Sequence, residues 1–309
     1  MKVLVISGFL GAGKTTFLKH LAGRTHRDFA VMENEYGQVP VDGERLSQDT
    51  EKLNIWELTE GCICCSRKSD FAASVLTIAN TLDPEYLIVE PTGVGMLSSI
   101  LRQLQQIQYE KIRLLSPVTI VDGRAFRRNL RDYPEIMKDQ LRHAGTVLVS
   151  KMESGEVPEE LEEALRVLAP QAELCLEPYR AMPGEFFLSL LRRDPAGREI
   201  REEAAGEAPE SLGLTQISLS SPDRLLLFLN GIVSGVFGDI CRSKGCLKAG
   251  DGYLRFDTAG TAYRITGCDQ PTESRAVFIG RALQRSQLRQ ILQQELTMTA
   301  PPLFRRTPR

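Results

Sequence analysis

Eight residues near the N-terminus, Gly8-Phe9-Leu10-Gly11-Ala12-Gly13-Lys14-Thr15, match G-x-x-x-x-G-K-[ST] without a mismatch. Each residue type has a reason to be there. Gly8, Gly11 and Gly13 let the backbone turn its N–H groups toward one point, with no side chain in front of an anion. Ala12 keeps the same space clear, and Thr16 continues the first turn of a following helix whose N-terminus favours negative charge. Lys14 carries a charge that can reach the β- and γ-phosphates of a nucleotide, and the Thr15 hydroxyl is a ligand for Mg²⁺. Nucleotide hydrolysis needs a second, acidic group near the Mg²⁺. Tyr86-Leu87-Ile88-Val89-Glu90 is an apolar strand that ends in a carboxylate and continues as Pro91-Thr92-Gly93. Glu90-x-x-Gly93 is therefore the candidate switch, with Glu90 beside the Mg²⁺ and the Gly93 N–H on the γ-phosphate.

A second constellation has a different chemistry. Gly61-Cys62-Ile63-Cys64-Cys65 puts three thiols within four residues. Extended backbone turns Cys62 and Cys64 to one side, and a turn can bring Cys65 round to them. Thiolates are soft ligands suited to zinc and other late transition metals. A closed structural zinc site takes four ligands, so a local set of three suits an ion that is accepted and released. Glu35, in Glu33-Asn34-Glu35-Tyr36-Gly37, is the candidate fourth ligand, or else part of a solvated acidic loop.

The base of the nucleotide is read less directly. Val147-Leu148-Val149 leads into Ser150-Lys151-Met152-Glu153, where a guanine-specific protein carries N-K-x-D. A carboxylate at Glu153 can accept two hydrogen bonds from guanine, and Lys151 can lie over the base. Ser150 in place of Asn and Glu in place of Asp leave the choice between GTP and ATP open at this level. Cys175, Cys241, Cys246 and Cys268 read as packing residues or else a second metal site, Cys175-Leu176-Glu177-Pro178 is a candidate to complete the base pocket, and His20, His26 and His143 read as structural or surface residues.

These groups need a frame that brings them together. Apolar runs near Val3–Ile6, Phe29–Glu33, Leu53–Leu58, Tyr86–Glu90, Val118–Asp122, Val147–Ser150 and Glu173–Leu176 alternate with helical patterns over Lys14–Ala22, Asp70–Thr81, Leu97–Gln106, Glu135–Arg142 and Glu159–Leu168. Alternation of strand and helix predicts βαβ units and a mostly parallel sheet buried on both faces. The expectation is an α/β P-loop nucleotide hydrolase over residues 1–191, a charged linker over 192–211, a smaller α+β domain over 212–296 and a mobile tail over 297–309. In the smaller domain, strands are expected at Ile217–Leu219 and Ala276–Gly280, a hairpin over Tyr253–Asp257 and Ala262–Thr266, and helices at Arg224–Val233 and Ser286–Glu295.

Composition narrows the classes. With 309 residues, 42% hydrophobic and 25% charged, the chain is ordinary globular material. A formal net charge of −2 supplies no basic field for nucleic acid. No apolar run approaches the roughly 18 residues of a membrane span, and the short run Val3–Ile6 leads straight into the glycine loop, as a buried strand does. The seven cysteines read as reduced thiols or metal ligands rather than disulfides. The expectation is a cytoplasmic protein, a monomer or weak homodimer, with no nucleic-acid or membrane partner.

Taken together the chain resembles the CobW family of metal-handling P-loop GTPases. The resemblance rests on the phosphate loop through Thr16, on Glu33-Asn34-Glu35-Tyr36-Gly37, on the C-x-C-C segment, on Glu90-Pro91-Thr92-Gly93, and on Arg242-Ser243-Lys244-Gly245 and Val277-Phe278-Ile279-Gly280-Arg281 in the second domain. It implies a GTPase that binds GTP and GDP with Mg²⁺ and holds zinc, cobalt or nickel at Cys62, Cys64 and Cys65. It also implies delivery of that ion to a client metalloprotein or corrinoid protein. The histidine-rich stretch that many relatives carry is missing, which argues against metal storage. An ATP-dependent P-loop kinase for a small molecule, and a non-catalytic nucleotide-binding metal sensor, are the competing classes.

Overall fold

The computed structural model describes residues 1–34, 55–58, 70–195, 200, 209–271 and 273–293. The expected metal ligands Cys62, Cys64, Cys65 and Glu35 lie outside them. The chain divides into two compact units, with a break between Ala208 and Pro209.

The first unit is built on a parallel sheet. Its strands are β1 (Lys2–Ser7), β2 (Phe29–Asn34), β3 (Ile55–Leu58), β4 (Tyr86–Pro91), β5 (Arg113–Leu114), β6 (Val118–Asp122), β7 (Thr146–Ser150) and β8 (Glu173–Cys175). Their order is β3-β2-β4-β1-β6-β7-β8, with β5 paired to β1. Helices α1 (Lys14–Thr25), α2 (Asp70–Thr81), α3 (Leu97–Gln106), α4 (Phe126–Asp132), α5 (Pro134–Arg142), α6 (Glu159–Leu168) and α7 (Gly184–Leu190) connect or follow the strands. The apolar run of β1 is continuous because each of its faces is covered. Leu4 and Ile6 pack with Phe17, Leu18 and Leu21 of α1 and Phe187 of α7, whereas Val3 and Val5 pack with Val75 and Ile78 of α2 and Leu101 and Leu104 of α3. A half-exposed strand would show alternation instead.

The second unit is a mixed, mainly antiparallel sheet with helices on one face. Strands β9 (Glu210–Thr215), β10 (Ser218–Leu219), β11 (Asp239–Ala249), β12 (Gly252–Ala259), β13 (Ala262–Cys268) and β14 (Arg275–Arg281) accompany helices α8 (Pro222–Val233) and α9 (Arg285–Gln293). The strand order is β13-β12-β11-β14-β9, with β10 parallel to β11. Leu225, Phe228 and Leu229 of α8 and Leu288 and Leu292 of α9 close over Leu212, Leu247, Phe256 and Phe278.

The expected hairpin is present as β12 and β13, paired antiparallel. Two expectations need correction, and one strand of this unit was missed. The strand placed at Ile217–Leu219 is only the two-residue β10, and the principal strand of that region, β9, begins at Glu210 inside the stretch read as linker. The longest strand of the unit, β11, was not expected at all. Its sequence mixes charge, glycine and cysteine, and its register shifts between Ile240 and Arg242, which breaks the period of two that marks a strand. Gly245 at its centre is enforced by packing, since a Cβ there would come within 2.6 Å of the Phe256 ring and 2.8 Å of Ala276 Cβ.

Candidate functional site: a phosphate loop braced by two neighbouring segments

Strand order explains why distant residues converge. β1 lies between β4 and β6, so the loop after β1 is flanked by the C-terminal ends of β4, carrying Glu90, and of β6, carrying Asp122. Crevices outside the C-terminal strand ends are where parallel α/β sheets bind ligands.

Backbone geometry in the loop requires its glycines. Gly8, Gly11 and Gly13 have φ of 142°, 74° and 101°, a region costly for side-chain-bearing residues. Gly13 is the N-cap of α1, so the first free N–H groups of that helix open onto the loop. A Cβ on Gly8 would lie 2.3 Å from the Ile120 carbonyl oxygen, so strand β6 also excludes any side chain at that position.

The reactive side chains gather on the same loop. Lys14 Nζ donates to the Gly8 carbonyl at 3.1 Å and lies 3.9 Å from Glu90 Oε1. Both side chains are largely buried, at 8% and 13% exposure, so their attraction is little screened by solvent. The Thr15 hydroxyl sits 3.4 Å from each carboxylate oxygen of Glu90. A hydroxyl and a carboxylate are oxygen ligands of the kind Mg²⁺ takes alongside phosphates, so these residues fit the ion. Gly93 touches the loop directly: a Cβ there would be 2.5 Å from Leu10 N and 2.8 Å from Phe9 C. The segment read as a switch is thus packed against the phosphate loop with no room for a methyl group.

The expected helix α5 and the residue before it brace both pieces, a role that nothing local in the sequence marks. Tyr133 packs on Phe9 of the loop with ring centroids 5.1 Å apart and ring planes tilted by 39°. Gln140, 2% exposed, donates from Nε2 to the carbonyls of Gly93 at 3.2 Å and Gly95 at 3.0 Å. Asp139 is fully buried, and its Oδ2 accepts the Ser98 N–H in the first turn of α3. His143 Nδ1 lies 3.3 Å from Asp139 Oδ1. Burial alone would lower the His143 pKa, but the hydrogen bonds and charge of Asp139 outweigh it and the value is raised. The polar residues of α5 look from sequence like an ordinary solvated face; here they hold the segment after β4 in place.

On the opposite side of the loop, Ser150 is 4% exposed, and its hydroxyl donates to the Ala12 carbonyl at 2.6 Å, with the Val121 carbonyl at 3.1 Å. Its side chain is therefore committed to the loop backbone rather than directed at a base. Lys151 adopts φ of 62° and pairs through Nζ with Asp122 Oδ2 at 2.7 Å. Glu153 is exposed and ion-paired with Arg180, whose hydrogen bond and charge hold its carboxyl below the usual carboxylate range. Asp122 and Arg180 escaped the sequence reading. Asp122, a carboxylate ending an apolar strand just as Glu90 does, could have been found by that pattern; Arg180 has no such signal. Among the described residues, no group of three or more His, Cys, Asp and Glu side chains is placed to hold a metal ion, and no helix is long and apolar enough to cross a membrane.

A glycine loop between a central parallel strand and a helix, with lysine, threonine and a strand-end carboxylate converging on it, defines a P-loop nucleotide-binding domain. Residues 2–175 match the family described as "CobW/HypB/UreG, nucleotide-binding domain", and residues 210–296 match "Cobalamin synthesis protein cobW C-terminal domain". The chain belongs to the CobW family. Among curated proteins it is similar to the zinc chaperone YjiA of Escherichia coli, 29% identical over 197 residues that cover 61% of this chain and 60% of that protein. It is also similar to the zinc chaperone YeiR of Escherichia coli, at 34% over 167 residues, 52% of this chain and 49% of that protein. The zinc chaperone CobW of Pseudomonas aeruginosa is 30% identical over 156 residues, 46% of this chain and 41% of that protein. The matched segments thus span between two-fifths and three-fifths of those relatives' lengths. The crystal structure of Zn(II)-bound YjiA GTPase from E. coli aligns over 94% of this chain and 96% of that one, at 19% identity and a TM-score of 0.44.

Proposed function

We propose that this protein is a GTP-hydrolysing metallochaperone that couples nucleotide turnover to the binding and delivery of a transition metal ion. The observation that carries the reading is the contact between Gly93 and the phosphate loop, with Lys14, Thr15 and Glu90 gathered beside it. A γ-phosphate held by the loop would meet the segment Glu90–Gly93 at once, so the nucleotide state can be felt by the chain on either side. Lys14 and the loop N–H groups bind the phosphates, and Thr15 and Glu90 would hold Mg²⁺, which neutralises charge developing on the phosphate oxygens. Lys151 and Glu153 are the proposed guanine contacts, reached once Arg180 yields the Glu153 carboxylate. Cys62, Cys64 and Cys65 with Glu35 are the proposed ligands of the transported ion, and the zinc-chaperone names of the relatives favour Zn²⁺ over Co²⁺ or Ni²⁺. The client is a metalloprotein or corrinoid protein. Two domains are proposed, residues 1–191 and a second that begins with β9 at Glu210, joined by a linker that ends before that strand, in a cytoplasmic protein.

Unassisted hydrolysis is expected at about 10⁻⁴ to 10⁻² per second, since no arginine is placed by sequence to assist it. The test is Zn²⁺ and Co²⁺ affinity by chelator competition, with Mg·GDP and again with a non-hydrolysable Mg·GTP analogue. A shift of about tenfold, within the usual 1–3 kcal/mol of coupling, and its loss in Lys14→Ala, are the expected results. Equal affinity in both nucleotide states would refute the coupling, and faster turnover of ATP than of GTP would refute the guanine assignment.

A further inference from the structure

Four cysteines fall among the described residues, and their environments differ. Cys175 is buried in the first unit, and burial, reinforced by Glu173, pushes its thiol up to about 11. It is therefore a poor nucleophile at neutral pH. The Cys241 thiol donates to the Ile279 carbonyl at 3.2 Å. Cys246 and Cys268 are placed against each other, with their sulfur atoms 2.7 Å apart.

This pairing is not a consequence of neighbouring sequence or of neighbouring strands. The two residues are separated by 22 positions. Cys246 lies on β11 opposite Arg255 of β12, whereas Cys268 ends β13 opposite Tyr253 of β12. Strand β12 therefore runs between them. Adjacent strands stand about 4.8 Å apart and residues about 3.3 Å apart along a strand, so a flat sheet would hold the two Cα atoms about 12 Å apart, two strands across and two residues along. The sulfurs nevertheless lie 2.7 Å apart, so departure from flatness and the reach of the two side chains together close the gap. The side chains meet on the face opposite the core, because Leu247, next to Cys246, packs into the core cluster with Phe256. Cys246 is 7% exposed and Cys268 is partly exposed.

We infer that Cys246 and Cys268 form a reversible dithiol–disulfide site in the second unit, oxidised by a peroxide and reduced by a dithiol. Accessibility assigns the two roles. The Cys268 thiolate attacks one oxygen of hydrogen peroxide, forming the sulfenic acid and releasing hydroxide, which takes up a proton to become water. The Cys246 thiolate then attacks the Cys268 sulfur, forming the S–S bond and expelling the second oxygen as water. Two thiols lose two electrons and two protons, and one peroxide is reduced to two waters. A reducing dithiol reverses the step by exchange through a mixed disulfide. The bond would tie β11 to β13 across β12. Neither residue belongs to the nucleotide site or to the C-x-C-C segment, so the inference stands apart from the proposed coupling of nucleotide and metal.

The experiment uses the full chain, loaded with Zn²⁺ and treated with a few equivalents of hydrogen peroxide, then alkylated, digested and mapped by mass spectrometry. The expected product is a peptide pair linking Cys246 to Cys268, lighter by two hydrogens and restored by dithiothreitol. In Cys246→Ser the expected product is Cys268 trapped by dimedone as its sulfenic acid, and in Cys268→Ser the crosslink is lost. Should a serine variant fold poorly, the wild-type map alone decides. Dimedone capture of Cys268 in the wild type without the crosslink, or crosslinking of Cys268 only to Cys62, Cys64, Cys65 or a second chain, would overturn the inference. So would both thiols staying fully alkylatable at a dose that oxidises free glutathione in the same tube.

Discussion

Gln140→Leu tests whether helix α5 positions the switch segment or merely packs near it. Leucine has nearly the same length and volume as glutamine but no amide, so the change isolates two hydrogen bonds. One goes to the buried carbonyl of Gly93 and the other to the partly exposed carbonyl of Gly95. A buried acceptor left unpaired costs about 1–3 kcal/mol, and an exposed one less, because water replaces the lost donor. The sum is roughly 2–3 kcal/mol against the first unit. For a unit of this size that corresponds to about 5–10 °C in the midpoint of its thermal transition. Differential scanning calorimetry of the whole chain should show that loss in one transition. Nucleotide binding supplies the second readout. If the amide holds Gly93 so that its N–H meets a γ-phosphate, affinity for a GTP analogue should fall more than affinity for GDP. A midpoint within about 2 °C of wild type would mean that the two bonds contribute less than 1 kcal/mol, and equal loss of both nucleotides would remove the switch from the argument.

Other substitutions probe other parts of the site. Gly93→Ala forces a methyl group to within 2.5 Å of the Leu10 backbone nitrogen, and relieving it should cost about 1–3 kcal/mol, seen as nucleotide affinity weaker by about tenfold; unchanged affinity by titration with a fluorescent nucleotide would show that the loop yields freely. Ser150→Ala removes the hydroxyl bonded to Ala12 and should cost about 1 kcal/mol of stability in chemical denaturation, with GTP and GDP binding weakened alike. The raised pKa of His143 fixes a direction for pH. The charged imidazole beside Asp139 stabilises the fold below the ordinary His value of about 6.5, and this contribution is lost as pH rises through the higher folded value. The thermal midpoint of wild type should therefore decline relative to His143→Gln as pH rises from about 6.5 through that folded value; parallel pH profiles would show that the pair contributes nothing.

The division between what was and was not legible in the sequence follows a physical line. The phosphate loop and the strand ending in Glu90 were visible because each needs particular residue types at fixed spacing in one short segment. Strands β1, β4, β6 and β7 were visible because burial on both faces turns them into continuous apolar runs, whereas the two-residue β5 was not expected. The contacts of Gln140, Asp139 and Tyr133 were not visible, since each is a pairing with a residue about 40 or more positions away. The hydrogen bond from Ser150 to the Ala12 carbonyl was not visible either, because sequence locates a turn but not the direction of a hydroxyl. In the second unit, β11 was hidden by a register shift and by Gly245, whose presence is explained only by the Phe256 ring lying over it. Cys246 and Cys268 look like scattered packing residues until the arrangement of three strands is known. The thiol-rich segment, the plainest chemical signal after the phosphate loop, lies outside the described residues.

The pairing of β9 with β14 has a kinetic consequence. Strands β11, β12 and β13 follow one another through short turns, so their pairing closes only small loops. Strand β9 instead meets β14 across the whole of the second unit, with Thr215 opposite Arg275 and Glu210 opposite Gly280. The entropy of closing that long loop is incurred before the contact forms, so β9 should be the last strand to dock during folding. Until it does, the backbone edge of β14 stays open along Arg275–Gly280 and can pair with another chain. Losing the Arg285 hydrogen bonds to the Glu210 carboxylate would prolong that interval, and aggregation during refolding should increase with protein concentration even where the finished fold is little less stable.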